Sequence, residues 1–341
     1  MPVLNQKKQK EYLGIREIAK LAHVSPSTVS RVINSPERTS VEVREQVNAV
    51  IQKYHYVPNQ MAKNLFSKSS NSIAVFIHDM TNAYFILLLK ELSRLAFEHK
   101  LTLLTCNIDN NHIQEQEYLD YCQAIRTKGI IVVDGPLTEL YKRVPPSMKL
   151  VSFDRTMDSL KCSSVTANHL QGIDLLLGYL VRLGHRKIAF AAGNNNSFAA
   201  KARRQAYQQL IGWKYNLPYR EEYVHGFECS IRCGLDIVNY YMSLPDPPTA
   251  IACANDTMAI GVLMGAQHLG LRVPEDLSIV GFDGLNENFS FPRLTTVKQD
   301  YKQIARLLFD NITDPKRTEE VHHDVVDVTL CIGQTTGPVK K

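Results

Sequence analysis

One nine-residue stretch carries side chains suited to reading a nucleic acid. His23-Val-Ser-Pro-Ser-Thr-Val-Ser-Arg31 gathers Ser25, Pro26, Ser27, Thr28 and Arg31. An arginine donates two parallel hydrogen bonds to a guanine edge, worth about 1–3 kcal/mol of discrimination. Serine and threonine hydroxyls bond bases or phosphates, and a helix N-terminus favours phosphate. The thiols offer less. Seven cysteines lie at 106, 122, 162, 229, 233, 253 and 331. Only Cys229 and Cys233 are close in sequence, and no second pair completes a zinc site. They read as reduced thiols of a cytosolic protein, with no metal expected. No nucleophile is paired with a base, so the chain does not read as an enzyme.

The reading stretch needs helices to hold it. Ile15, Ile18, Ala19 and Ala22 recur at helical spacing behind Gly14, a weak N-cap. His23-Val24-Ser25 breaks that helix. Ser25 then caps a second helix with Pro26 at its first position, Val29, Val32 and Ile33 inside, and Ser27, Thr28, Ser30 and Arg31 outside. Thr39-Ser40-Val41-Glu42 fits a capping box for a third, whose inner stripe is Val43, Val47, Val50 and Ile51. Two helices joined by a tight turn, the second short and polar outside, form a helix-turn-helix pattern suited to the major groove. An ordinary small helical bundle with exposed hydroxyls has the same pattern. Pro58 ends the unit, Asn59 can cap a short helix over 60–66, and 67–72 reads as a linker.

Charge favours the nucleic-acid reading. Residues 1–68 hold 11 Lys and Arg against 5 Asp and Glu, a net +6, whereas the remaining 273 hold 28 against 29, a net −1. A basic first fifth on a near-neutral remainder is expected where one end meets a polyanion. The 341 residues suffice for two or three domains, and 44% apolar with 21% charged residues is a globular balance. No apolar run reaches the roughly 18–20 residues of a membrane span. The basic start lacks the apolar core of a secretory signal. A cytoplasmic protein without membrane contact is expected.

From residue 73 the texture changes. Strand-like runs at 73–78, 101–106, 129–134, 149–153, 187–192, 249–254 and 277–282 alternate with helical stretches such as 84–98, 170–183, 199–215 and 257–269. Such alternation predicts parallel sheets covered on both faces, with enough units for two of them. In open α/β sheets ligands sit beyond the carboxyl ends of the strands, so the residues just after each strand carry the chemistry.

Several separated motifs together resemble the lactose/galactose repressor (LacI/GalR) family. They are Ile15-Arg-Glu-Ile-Ala-Lys-Leu-Ala-His-Val-Ser-Pro-Ser-Thr-Val-Ser-Arg-Val-Ile-Asn34, Tyr56-Val-Pro-Asn-Gln-Met-Ala-Lys-Asn-Leu65, Leu183-Gly-His-Arg-Lys-Ile-Ala-Phe190, Ala254-Asn-Asp-Thr-Met-Ala-Ile-Gly261, Val273-Pro-Glu-Asp-Leu-Ser-Ile-Val-Gly-Phe-Asp283 and Leu294-Thr-Thr-Val-Lys-Gln299. The match runs from about residue 14 to 336. The resemblance adds Asn34 to the DNA-binding set and makes the segment after the third helix a hinge helix, paired in a dimer on operator DNA. Leu65 would wedge into the central base step from the minor groove. Unstacking costs a few kcal/mol, offset by the contacts of bent DNA. Ala62 would let the paired helices approach, with Asn59 as cap and Lys63 as phosphate contact.

The resemblance also implies a two-lobed sensor core similar to periplasmic sugar-binding proteins, crossed three times by the chain. We expect the crossings near 162–165, 290–294 and 322–326. The expected organisation is a basic tail (1–12), a helix-turn-helix domain (13–58), a hinge (59–72), one lobe of 73–163 with 294–322, another of 164–293 with 323–336, and a tail (337–341). Sugar hydroxyls suit carboxylates and bidentate donors, and their C–H faces suit aromatic rings. Post-strand positions that match the family's pocket are Tyr84, Phe85, Asp154, Arg155, Arg203, Phe227, Asn255, Asp283 and Gln299. Asp154-Arg155 and Asp283-Gly284 look ribose- or fructose-like, and a sucrose-like sugar also fits the set. Asp256 reads as the cap of the helix that follows it.

Some residues depart from the family pattern. His78 and Ala83 replace common prolines, Gly284 replaces a second aspartate, and Cys331-Ile-Gly-Gln-Thr-Thr336 lacks an arginine. The polar end after Thr336 lacks a leucine heptad, so a homodimer on pseudo-palindromic double-stranded DNA is expected. The expected activity is repression of a carbohydrate operon, switched by sugar binding. Alternatives are a purine or a phosphorylated carrier protein as effector, or a solute-binding protein.

Overall fold

The computed structural model describes residues 13–57, 70–109, 111–135, 139–155, 162–193, 197–226, 229–285 and 292–340. The chain divides into two units, Met1–Lys68 and Ser69–Lys341.

In the first unit α1 (Ile15–Leu21), α2 (Pro26–Asn34) and α3 (Val41–Tyr54) bury Ile18, Ala19, Ala22, Val29, Val32 and Val47 against one another. The turn between α1 and α2 is tight because His23 adopts a left-handed conformation, φ 48°. Ser25 caps α2, its Oγ accepting from Thr28 N at 3.1 Å, and Pro26 takes the first helical position. The cap of α3 is Ser40, which accepts from Val43 N. The capping box expected at Thr39 is not formed, because the Thr39 hydroxyl donates back to Pro36 O at 2.8 Å.

The second unit holds two six-stranded sheets. The first contains β1 (Ser72–Ile77), β2 (Thr102–Asn107), β3 (Gly129–Val133), β4 (Lys149–Phe153), β5 (Ser163–Ala167) and β11 (His323–Val326), ordered 11-5-4-3-1-2 and parallel throughout. The second contains β6 (Ile188–Ala191), β7 (Val224–His225), β8 (Ala250–Cys253), β9 (Ser278–Asp283), β10 (Thr295–Gln299) and β12 (Val328–Cys331), ordered 12-10-9-8-6-7. Only β12 runs antiparallel, to β10. Alternate residues face opposite cores. Ile73, Val75 and Ile77 pack with α4 (Ala83–Glu98) and α10 (Tyr301–Thr313), while Ala74 and Phe76 face α5 (His112–Ala124). In the second sheet Phe190 and Phe282 face α6 (His169–Arg182) and α7 (Phe198–Trp213). Ala191 and Ile279 face α8 (Ile231–Met242) and α9 (Asp256–His268).

The crossings between sheets lie further along the chain than expected. β5 belongs wholly to the first sheet, β10 to the second and β11 to the first. The chain therefore passes over after Ala167 and after Gln299, beyond the expected 162–165 and 290–294, and at Asp327, just past the expected 322–326. The expected division at 163/164, with 294–322 in one lobe and 323–336 in the other, moves accordingly. These strands are short and mostly polar, with Val165, Val297 and Val326 as buried anchors, so their pairing rather than their composition makes them strands. At the crossings Val326 pairs with Ala167 and Val328 with Gln299. Asn168 N also donates to Val326 O at 2.8 Å.

Candidate effector cleft and DNA-reading helix

The carboxyl ends of both sheets face a cavity of about 260 Å³. The first sheet contributes His78, Asp134 and Asp154 after β1, β3 and β4, with Tyr84 and Phe85 from α4. The second contributes Ala254 and Asn255 after β8, Asp283 at the end of β9 and Arg203 from α7, and Gln299 ends β10. Asp134 and Asp154 turn their strands off through left-handed conformations, φ 47° and 57°, which aspartate tolerates better than most residues. Asp283 has φ 126°, and such a conformation costs about 1–3 kcal/mol. Its carboxylate is anchored by Gln299 Nε2 at 2.7 Å and Arg203 Nη1 at 3.3 Å.

Arg203 is the hub of a buried polar chain. Its Nη1 also donates to Ala254 O at 2.5 Å, its guanidinium lies 3.7 Å above the Phe282 ring, and its Nε donates to His169 Nδ1 at 3.2 Å. Because Nδ1 accepts, the His169 proton sits on Nε2, which donates to Asp154 Oδ1 at 3.0 Å. Asp154 Oδ1 also accepts from Ala167 N at 3.1 Å. One continuous network thus runs from β4 of the first sheet to β9 and β10 of the second. A second polar link joins the lobes. Ser197 Oγ accepts from Ala200 N at the start of α7 and donates to Asp134 at 2.8 Å.

Burial in this network moves several protons. It pushes Asp283 up to about 8, against the lowering pull of Arg203. It pushes Asp134 up to about 6, with the charge of Asp154 adding to the rise. Tyr84 is driven well above its ordinary value by burial, then by Asp154. Its ring stacks on Phe153 with centroids 6.1 Å apart.

Of the nine expected effector residues, Tyr84, Phe85, Asp154, Arg203, Asn255, Asp283 and Gln299 line the cavity. Arg155 does not; Asp154 has turned the chain, and the Arg155 carbonyl accepts from Ser152 Oγ. Phe227 lies outside the described residues. The expected helix cap is corrected too. Asn255 caps α9, accepting from Met258 N at 2.9 Å. Asp256 is instead buried, accepting from Thr296 Oγ1 at 2.6 Å and Leu285 N at 2.7 Å. Gly281 makes room for it, since a Cβ there would stand 2.1 Å from Asp256 Oδ1.

Several polar residues at the cleft, among them His78, Asp79, Asp134 and Ser197, and the His169 behind it, are not in the expected set. His169 follows a strand too polar to be read from sequence, and Ser197 lies five residues beyond the run read at 187–192, as the cap of the next helix. His78 was visible only as a departure from proline. Its buried ring fits because residue 135 is glycine, where a Cβ would fall 1.8 Å from it. His78 Nε2 lies 3.7 Å from Glu115 Oε1, which accepts from Tyr141 OH at 2.6 Å. No cluster of metal-ligating side chains occurs among the described residues.

In the first unit Ser25, Pro26, Ser27 and Arg31 are exposed along α2, with Thr28 half-buried beside them. The Ser25 hydroxyl contacts those of Ser27 and Thr28 at 2.7 and 2.8 Å. Exposed Asn34 closes the helix, its Nδ2 donating to Ser30 O at 2.9 Å. Asn59, Ala62, Lys63 and Leu65 lie outside the described residues.

A helix-turn-helix reader followed by two sheets closing on a polar cavity defines a ligand-responsive DNA-binding transcription regulator. Residues 14–59 match the model of bacterial regulatory proteins of the lacI family, and residues 177–336 match a periplasmic binding protein-like domain. The chain belongs to the LacI family. It is 30% identical to catabolite control protein A of Priestia megaterium over 92% of this chain and 96% of that one. Its fold matches a Lac repressor dimer bound to operator and the anti-inducer ONPF, with TM-score 0.84 and 24% identity over 96% of this chain and all of that one. It also matches the regulator CelR in complex with cellobiose, with TM-score 0.67 and 25% identity over 95% and 99% of the two chains. No helix among the described residues is long and apolar enough to cross a membrane.

Proposed function

We propose that this regulator is a cytoplasmic homodimer that represses carbohydrate-utilisation genes and is switched by a small sugar held between the sensor lobes. The carrying observation is the buried chain Asp154–His169–Arg203–Asp283–Gln299, which joins both sheets on the wall of one cavity. Its carboxylates and amide fit adjacent hydroxyls, and Phe85 offers an aromatic face. About 260 Å³ is below the roughly 300–1,000 Å³ of drug-sized sites, which favours a monosaccharide. The likeness to a cellobiose-bound regulator supports a carbohydrate.

A ligand bridging the lobes changes their mutual rotation, and so the spacing of two headpieces across a pseudo-palindrome. Half-sites stand about one helical turn, roughly 34–36 Å, apart, so misplaced readers lose affinity. On this reading Ser25, Pro26, Ser27, Thr28, Arg31 and Asn34 meet the major groove. Asn59, Ala62, Lys63 and Leu65 serve the hinge.

The purified chain should be titrated with sugars, sugar phosphates and purines while binding to an operator duplex is followed. A bound sugar should change the operator Kd by about 5–150-fold, the usual range of allosteric coupling. An unchanged Kd with every sugar the protein holds overturns the proposal. A response only to a purine or to a phosphorylated carrier protein replaces the sugar with that effector.

A further inference from the structure

We infer that the effector is a small polyol bearing a protonated amine, held between Asp134 of one lobe and Asp283 of the other. This narrows the carbohydrate reading above and rests on it. Among the described residues four carboxylates line the cavity, Asp79, Asp134, Asp154 and Asp283, against one guanidinium, Arg203, and one imidazole, His78, with no lysine.

The charges are unevenly served. Asp79 is exposed at the rim and accepts from Thr81. Asp154 has His169 and Ala167 as donors. Asp134, in contrast, accepts from a serine hydroxyl and the Ala199 backbone, neutral donors both. Asp283 shares Arg203 with the Ala254 carbonyl and His169, and its Oδ2 has no hydrogen-bond partner.

A neutral residue points the same way. Gln299 is buried, and its Oε1 is a second acceptor without a donor on the same wall. On this wall Asp283 Oδ2 and Gln299 Oε1 thus lack a donor and a positive charge together, while the Tyr84 hydroxyl and His78 ring, likewise without a hydrogen-bond partner, lie on the first lobe. An ammonium supplies both, with three N–H donors and one charge. An uncharged sugar supplies donors alone. A phosphate adds negative charge and acceptors to a site already rich in both.

Isothermal titration of the full chain with matched sets tests this: D-glucose, D-galactose and D-ribose, their amino-sugar counterparts, and their terminal phosphates. The best amino sugar should bind at least tenfold tighter than its parent, and no phosphate should bind tighter than its parent. Asp134→Asn should cut the amine-to-parent ratio at least fivefold. Asp283→Asn is a second variant with the same expectation, and thermal unfolding reports whether each is folded. A parent or phosphate that matches the amine overturns this inference and leaves the carbohydrate reading standing. So does an undiminished ratio in both variants. If no member of any set binds, both readings fall.

Discussion

Asp154 of the first lobe and His169 of the second share a 3.0 Å hydrogen bond, and its direction is fixed by a third residue. Because Arg203 Nε donates to the other imidazole nitrogen, His169 is a donor to Asp154 and an acceptor from Arg203 at once. A long-range proton–nitrogen NMR spectrum should place the His169 proton on Nε2. Arg203→Ala should release Nδ1 and make the assignment mixed. A proton found on Nδ1 in the unaltered protein contradicts the network.

Arg203→Ala should also be costly to the fold. It removes the charged donor of Asp283, leaving only Gln299, and the donor to His169 Nδ1, and breaking a buried charged pair costs about 3–5 kcal/mol. Urea unfolding should show a lowered midpoint, and an effector sugar should bind at least a hundredfold more weakly. Unaltered stability sinks this account of Arg203.

Acidity should tighten the sensor unit at Asp134 and Asp283. Burial lifts them from an ordinary 3.8 to about 6 and about 8. The folded chain thus keeps protons that the unfolded chain has released. Their contribution is complete below about pH 4 and is lost as pH rises through 6 and then 8. Asparagine has no such proton. Unfolding free energies from pH 4 to 9 should therefore move in favour of Asp134→Asn up to about pH 6, and of Asp283→Asn up to about pH 8. A pH-independent difference from the unaltered protein refutes the assignment.

Operator reading should separate into base contact and deformation. Arg31→Ala should relax preference at one symmetric base position by about 1–3 kcal/mol, measured on a set of substituted duplexes. Leu65→Ala should weaken binding and reduce bending while sugar affinity stays within twofold. Operator affinity within twofold of the unaltered protein refutes the wedge.

Much of this architecture is written locally. Ser25 before Pro26 marks the start of α2, and the apolar runs of β1, β3, β4, β6, β8 and β9 are visible because both faces of each are buried. Asp154 and Asp283 follow from the rule that ligands meet strand ends, whereas Arg203 and Gln299 rest on the family resemblance. The rest depends on partners distant in sequence. β5, β10 and β11 are too polar to be seen until they pair, and with β5 unseen His169 had no strand to follow. Arg155 shows the limit of reading neighbours together, since one left-handed residue sends adjacent side chains to different places. The Asn255 and Asp256 exchange has a similar origin. Either residue can cap a helix, and only the buried Thr296 hydroxyl decides which is drawn inward.

The three passages between sheets stand side by side, with Ala167 laddered to Val326 and Gln299 to Val328. Strands clamped to one another cannot flex singly. Each passage must bend with its neighbour, which confines the halves to a shared swing and suppresses sliding or independent twisting. The sensor then has essentially one mechanical coordinate. A ligand then shifts that coordinate only by its differential affinity for the two positions of the halves.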